Sequence, residues 1–405
     1  MPNSAIINRY SLAGLGATLI GNGIGRFAYI ALMPALIQAG WFSSSEASLL
    51  GVATLIGYIF GAPAVNLLLR YFSVGQLIRT AMLVSSLSYL GCAVQEAPIL
   101  WFYLLLRTLA GIAGAMLMVL APPVIVRMHK SEVKARISGV VFSGIGLGAM
   151  LSGTLIPALI YFSVISAWLG MGVMALTTTV LTWNAWGDVH NQGSSGIVQA
   201  SFNTLSKLQR MTVMLILFAY TFNAIGYLPH TLFWVDYLVR ELGISMFSGG
   251  LYWAVFGIGA AIGPVLTGML GDRVGIKHAL LIAFIGKAIG VALPLLSTTP
   301  VALFISSLFV GIFTPGTVTL VSTYTLEVVG YERHTKAWSV MTLSFAISQG
   351  VAGYVMALYA TSIGSYQMLF LISSGALVFS ILCILLTSRQ QVAEFTLHSV
   401  TDSKE

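Results

Sequence analysis

Apolar runs alternate with short polar breaks along the whole chain, and each run is long enough for a helix crossing a bilayer core, about 20 residues. Twelve such runs fall at about 11–37, 46–69, 77–94, 98–126, 136–160, 163–186, 211–234, 247–270, 278–297, 299–325, 337–361 and 365–387. Spread over 405 residues, that is about 34 per helix with its connection, which leaves short loops and no room for an inserted soluble domain. The longest polar stretch, at 187–210, includes NQGSSGIVQASFN and reads as a flexible linker. It divides the spans six and six. The pattern predicts an all-α membrane protein with two six-helix bundles over 1–186 and 211–388. A cytoplasmic linker at 187–210 and a cytoplasmic tail at 389–405 complete it.

Composition removes the alternatives. Lys and Arg number 19 and Asp and Glu 12, so only 8% of residues are charged, against roughly 25% in soluble proteins. With 57% hydrophobic residues, the chain can neither cover a water-soluble surface nor remain disordered. Cys92 and Cys383 lie in apolar runs with no disulfide or metal-ligand spacing and read as small packing residues. The first apolar run is too long for a signal peptide and is soon followed by a second.

Charge sets the expected orientation. Fifteen of the 19 cations fall in segments on one side, from Arg9, Arg70 and Arg79 to Arg389 and Lys404, while the other side holds only Arg240. The positive-inside rule then places both termini in the cytoplasm, at the plasma (inner) membrane. The net charge of +7 is mostly topology and points to no nucleic-acid partner.

The two halves repeat at an offset of 200–201 residues. Asn22-Gly23-Ile24-Gly25 lies over Asn223-Ala224-Ile225-Gly226, Gly111-Ile112 over Gly311-Ile312, Ser138 over Ser339 and Gly75 over Gly275. Parallel repeats of this kind imply two pseudo-symmetric bundles with a substrate path between them.

Gly268-Met269-Leu270-Gly271-Asp272-Arg273-Val274-Gly275-Ile276-Lys277, between spans 8 and 9, resembles the G-x-L-x-D-R-x-G-x-K signature of the major facilitator superfamily. Arg107 to Gly114 resembles that superfamily's R-x-x-x-G element. Gly23-Ile24-Gly25-Arg26-Phe27-Ala28-Tyr29 is similar to the opening of its YbfB/YjiJ-type branch, whose members are often labelled sugar or drug transporters. Two departures stand out: Leu69 to Gly75 lacks the acidic residue of the loop motif, and span 5 lacks the Gly-Pro of the proton-antiporter signature. The resemblance implies that spans 1, 4, 7 and 10 line a central cavity. It also implies that Asp272, with Arg273 and Lys277, latches the cytoplasmic side against the start of span 5, beside Lys134 and Arg136.

Three cations stand at membrane depth, Arg26, Arg107 and Lys287, and each costs about 2.5–3.5 kcal/mol to bury uncompensated. The interiors of the first six spans contain no Asp or Glu. Water, backbone carbonyls or an anionic substrate could each compensate Arg26 and Arg107. For Lys287, on an expected outer helix, a structural role is the simpler reading. Asn22, Arg26 and Tyr29 share a helical face, as do Tyr220, Asn223 and Tyr227 in span 7, and Thr314, Thr317 and Tyr324 in span 10. These stripes either line a cavity or bond helices together. Expected substrate contacts are Asn22, Arg26, Tyr29, Arg107, Tyr220, Asn223, Tyr227, Thr317 and Tyr324. His230, Asp236 and Glu327 are candidates for coupling to a proton, each with a plain alternative as a bonded or solvated helix-end residue.

The chain has no G-x-S-x-G, H-E-x-x-H or Walker motif and no Cys/His cluster, so neither an enzyme nor a metal or cofactor site is expected. The reading is a secondary active transporter, monomeric in the bilayer, moving a small polar, anionic organic solute by alternating access. Proton-driven efflux of drugs or metabolites is the alternative within transport, and a signalling or assembly protein the alternative outside it.

Overall fold

The computed structural model describes residues 6–94, 100–129, 134–187, 189, 205–363 and 365–387. Among these every regular element is helical. Twelve helices follow the expected spans: α1 (Arg9–Gln38), α2 (Ser44–Leu68), α3 (Val74–Gly91), α4 (Leu100–Arg127), α5 (Lys134–Ile160) and α6 (Val164–Thr182). The second half holds α7 (Lys207–Glu241), α8 (Met246–Val274), α9 (Ile276–Leu296), α10 (Pro300–Val329), α11 (Tyr331–Ile363) and α12 (Gln367–Leu385). Most of the expected linker, and all of the tail at 389–405, lie outside the described residues; Lys207 to Arg210 form the first turn of α7.

Eleven of these helices are long and apolar enough to cross a membrane by themselves. The exception is α3, whose hydropathy is lowered chiefly by Gln76 and Arg79, with smaller shares from Ser85, Ser86 and Ser88. Two of those serines are satisfied inside the bundle, Ser88 donating to Leu106 O at 2.7 Å and Ser86 to Met82 O at 2.8 Å, while Ser85 Oγ is buried without a partner. Span 7 is longer than its expected run, which stopped at 234: Asp236, the carboxylate beyond that point, is fully buried. Pro315 and Gly316 do not interrupt α10, which is continuous. Gly316 instead faces Thr267 of α8, 2.5 Å from where a Cβ would stand.

Glycine sets the helix crossings. In the first half, Gly57 and Gly61 of α2 meet the carbonyls of Thr108 and Ile112 of α4, and Gly111 of α4 meets Thr54 O, each 2.1–2.4 Å from an added Cβ. The second half repeats this contact 202, 202 and 200 residues on: Gly259 and Gly263 of α8 meet Leu308 O and Ile312 O of α10, and Gly311 meets Phe256 O. Without a hydrophobic force between helices in lipid, close backbone approach through small residues is what holds such pairs. The repeat read from sequence is therefore a repeat of helix contacts.

The bundles meet along two seams, α5 against α8 and α2 against α11. At the end away from most of the cations, called here the far end, they close completely. Every residue from Gly23 to Leu36 of α1 and from Tyr227 to Val239 of α7 is buried. Leu232 of α7 fits between Gly51 of α2 and Gly353 of α11, and Phe27 of α1 stands edge-on to Trp253 and Phe256 of α8 at 5.7 and 5.8 Å. The basic halves of α1 and α7 form no comparable packed pair among the described residues. Among the described residues, the bundles are closed at the far end, while α1 and α7 part toward the basic end.

Candidate functional site

Midway along α1 the backbone widens into π-helical turns over Leu19–Phe27, and α7 widens likewise at Pro229–Phe233 and Tyr237–Glu241. Such widened turns are rare and recur at functional positions. In α1 the three glycines of Gly21-Asn22-Gly23-Ile24-Gly25 face different neighbours: Gly21 lies against Gly114 O of α4, Gly23 against Gly148 of α5 and Gly25 near Ser85 of α3. The Ile24 carbonyl accepts the Tyr89 hydroxyl. Asn22 and Arg26 occupy the remaining face.

That face is undersupplied with partners. Arg26 is 9% exposed, and its Nε and Nη2 are buried without an acceptor, as is Asn22 Oδ1 without a donor. Its guanidinium lies 5.3 Å from the Phe27 ring centre. Tyr58 of α2 stands beside the Asn22 side chain and within electrostatic reach of Arg26 and of Tyr227 across the interface. Tyr58 was not expected from sequence; a lone tyrosine in an apolar run carries no signal there.

Opposite, α7 presents Tyr220, Asn223 and Tyr227. Tyr220 stacks on Phe345 of α11 at 4.5 Å, and Gln349 Nε2 donates to the Tyr227 hydroxyl at 2.5 Å. Lys287 reaches in from α9. Fully buried, its Nζ donates to Asn223 Oδ1 at 2.8 Å and Thr317 Oγ1 at 2.9 Å, and it lies 5.2 Å from the Tyr227 ring centre. Thr317 passes its own hydrogen to Thr314 O at 3.0 Å. Sequence reasoning left Lys287 on an outer helix without a role in the site. The intervals of α9 gave no hint that this one residue faces inward between α7 and α10.

The structure thus brings Asn22 and Arg26 of the first bundle to the same level as Tyr220, Asn223, Tyr227 and Thr317 of the second. The other three expected residues lie elsewhere. Arg107 of α4 is 1% exposed and its three guanidinium nitrogens are buried without acceptors, but it packs inside the first bundle, 4.6 Å from the Tyr29 ring centre and 5.3 Å from that of Tyr89. Tyr29 gives its hydroxyl to Ala47 O of α2 at 2.6 Å. Tyr324, near the basic end of α10, bonds Thr387 Oγ1 at 2.9 Å. Thr314 remains beside Thr317 with its Oγ1 buried and unpartnered.

The coupling candidates separate as well. His230 pairs its Nε2 with Ser306 Oγ at 2.8 Å and stacks on Trp234 at 4.2 Å, entirely within the second bundle. Asp236 is fully buried, not solvated, and bridges Arg240 Nε at 3.2 Å while accepting the Tyr366 hydroxyl. Glu327 is exposed at the basic end of α10.

In the loop between α8 and α9, Gly275 takes φ +84°, a conformation that favours glycine. Lys277 Nζ donates to the Thr387 carbonyl beyond the last turn of α12. Arg79 does the equivalent in the first half, donating from Nε to Trp183 O at 2.9 Å just beyond α6. Cations at these helix ends meet unsatisfied carbonyls. Asp272 and Arg273 are exposed, and Asp272 makes no ion pair among the described residues. The side chains of Lys134 and Arg136, toward which a latch is expected, lie outside the described residues. No cluster of His, Cys, Asp and Glu able to hold a metal occurs among the described residues.

Two helix bundles with a cation-bearing face between them are the architecture of a membrane transporter, and comparison with known proteins agrees. The family described as "Uncharacterised MFS-type transporter YbfB" matches residues 18–385, so the chain belongs to that family of the major facilitator superfamily. It is 23% identical over 367 residues to a Haemophilus influenzae protein described as "Putative metabolite transport protein", covering 86% of this chain and 88% of the relative. Among solved structures, a mutant of nucleoside transporter NupG superposes with TM-score 0.73 at 12% identity, covering 94% of this chain and 100% of that one. A bacterial homologue of the human lysosomal transporter Spinster, inward-facing and occupied, gives TM-score 0.72 at 16% identity over 96% and 98% of the two chains. The protein is a multi-pass membrane transporter and not an enzyme.

Proposed function

We propose that the protein is a secondary active transporter that moves a small polar, anionic organic solute by alternating access. The solute binds between Asn22 and Arg26 of α1 and Asn223 and Tyr227 of α7. The observation that carries this reading is the Arg26 guanidinium, nearly buried, with two nitrogens lacking acceptors. An ion left so poorly compensated at membrane depth is expensive to hold, and a carboxylate arriving from solution offsets that expense only while it is bound. Lys287, across the interface, is likewise compensated by neutral groups alone.

The bundles rock about this level, with the far-end closure and the parted basic end as one of two states. The Lys/Arg bias supports a basic end and both termini in the cytoplasm of a bacterium's inner membrane. The description of the Haemophilus influenzae relative is in keeping with a metabolite as cargo.

The test is a thermal-shift screen of organic acids, sugars and carboxylate chelates on purified protein, followed by uptake into proteoliposomes with and without a pH gradient. An organic anion should stabilise the protein and be transported, and Arg26→Gln should reduce its apparent affinity at least tenfold. Normal transport of a neutral solute by Arg26→Gln, with no response to anions, sinks the reading. A pH-gradient dependence would assign the coupling ion, and the sign of accumulation would separate uptake from efflux.

A further inference from the structure

Lys287 and Asn223 together decide which atom of Asn223 the transported solute meets. An ammonium has hydrogens to give and no lone pair to receive one. Its contact at 2.8 Å therefore requires the amide oxygen of Asn223 to point toward α9. Thr317 cannot take over this task, because its hydroxyl already accepts from Lys287 and donates to Thr314 O. With the oxygen pinned, Asn223 Nδ2 must point the other way, and it is buried with no acceptor. Asn223 sits on the face of α7 that carries Tyr220 and Tyr227, both within electrostatic reach of Tyr58 in the first bundle.

Its counterpart in the repeat, Asn22, has the complementary vacancy. There the buried atom without a partner is the acceptor Oδ1, one turn from the two unpartnered nitrogens of Arg26. The two bundles therefore present unpartnered donors from both sides, Arg26 and Asn223 Nδ2, with Asn22 Oδ1 as an unpartnered acceptor beside Arg26 and the Thr314 hydroxyl, which can donate or accept, farther off beside Thr317. Unpaired buried polar atoms of this kind discriminate strongly, since a solute lacking the matching group leaves them unpaired.

We infer that Lys287 is a positioning residue that locks the Asn223 amide so that Nδ2 faces the solute, and that the solute is a hydroxy-carboxylate. Its carboxylate spans Arg26 and Asn223 Nδ2, and its hydroxyl donates to Asn22 Oδ1. This rests on the anion reading above, and deepens it by naming the second donor, the group that orients it and the chemistry of the cargo.

The experiment compares lactate, malate and gluconate with propionate, which lacks the hydroxyl, and glycerol, which lacks the carboxylate. Each is measured by thermal shift and by proteoliposome uptake, on wild type, Asn223→Asp, Lys287→Met, Lys287→Arg and Arg26→Gln. At least one hydroxy-carboxylate should act on wild type at tenfold lower concentration than propionate, and glycerol should have no effect. Asn223→Asp is the deciding variant, because it keeps an acceptor for Lys287 and loses the Nδ2 donor. It should remain folded, with an unfolding temperature no lower than wild type, yet bind the hydroxy-carboxylate at least tenfold more weakly. Lys287→Met should weaken binding similarly, and Lys287→Arg, still a pure donor, should restore part of it.

If Asn223→Asp keeps wild-type affinity while Arg26→Gln loses it, the positioning inference is wrong and the anion reading survives. Equal responses to propionate and the hydroxy-carboxylates overturn the cargo class. No response of wild type to any anion overturns both readings.

Discussion

Gly146 of α5 and Gly257 of α8 meet backbone to backbone across the two bundles: a Cβ on Gly257 would stand 2.2 Å from Met150 N and 2.7 Å from Gly146 O. Gly153 and Gly250 repeat the contact one step toward the far end, with 2.4 Å to the opposing carbonyl in each direction. Glycine contacts of this kind let two rigid bundles tilt with few rotamers to rearrange at the points of closest approach. The indole of Trp253 bonds Ser152 Oγ across the same seam at 3.1 Å.

Gly257→Val should therefore act on both stability and turnover. Overpacking a tight contact costs about 1–3 kcal/mol, and this contact joins the moving parts. The expected result is a lower unfolding temperature in detergent and near-complete loss of proteoliposome uptake. Gly268→Ala, at a position where an added Cβ meets nothing within 4 Å, should leave both unchanged.

Arg26 and Arg107 look alike in sequence and should behave differently. Arg107 stacks between Tyr29 and Tyr89 inside one bundle, and such contacts are worth about 0.5–2 kcal/mol each. Arg107→Lys, which loses the planar guanidinium, should lower the unfolding temperature while leaving the apparent affinity for a transported anion within about twofold. Arg26→Lys should do the reverse. Equal effects on affinity would place Arg107 in the binding site.

At the far end, Asp236 is a buried carboxylate held by Arg240 and the Tyr366 hydroxyl. Removing one member of a buried pair is more harmful than removing both. Arg240→Ala should destabilise the protein strongly, by about 3 kcal/mol or less given the partial exposure of Arg240, and Asp236→Asn in the same background should recover much of the loss. A double-mutant cycle on thermal unfolding measures this. If Asp236 also carries the coupling proton, Asp236→Asn alone should abolish the dependence of uptake on a pH gradient while leaving counterflow exchange intact.

Asp272 is exposed beside the parted basic end, as a latch residue would be when its latch is open. Asp272→Asn should slow transport several-fold with little change in substrate-induced thermal shift. An equal loss of binding in detergent would count against a latch.

The sequence alone was enough for the architecture, because in a membrane both the length of an apolar run and its freedom from charge are dictated by the bilayer. The twelve spans, the repeat and the face carrying Asn22 and Arg26 followed from that. The same rule misjudged details wherever protein replaced lipid as the surrounding medium. It ended span 7 at 234, short of Asp236, although that carboxylate is fully buried and held by Arg240 and the Tyr366 hydroxyl. The glycines of α5 could be read only as a missing antiporter motif until α8 was seen lying against them.

Which buried cation stands where was decided by tertiary structure. Periodicity places a residue on a face of its own helix, and whether that face looks toward a partner helix, a seam between bundles or lipid depends on how the helices are arranged around it. Arg107 turned inward between two tyrosine rings, and Lys287 turned from an expected outer helix to hold Asn223 and Thr317. The charges are legible in the chain. Their partners are not, because a hydrogen bond between residues 64 apart is a fact about packing and leaves no trace in local sequence.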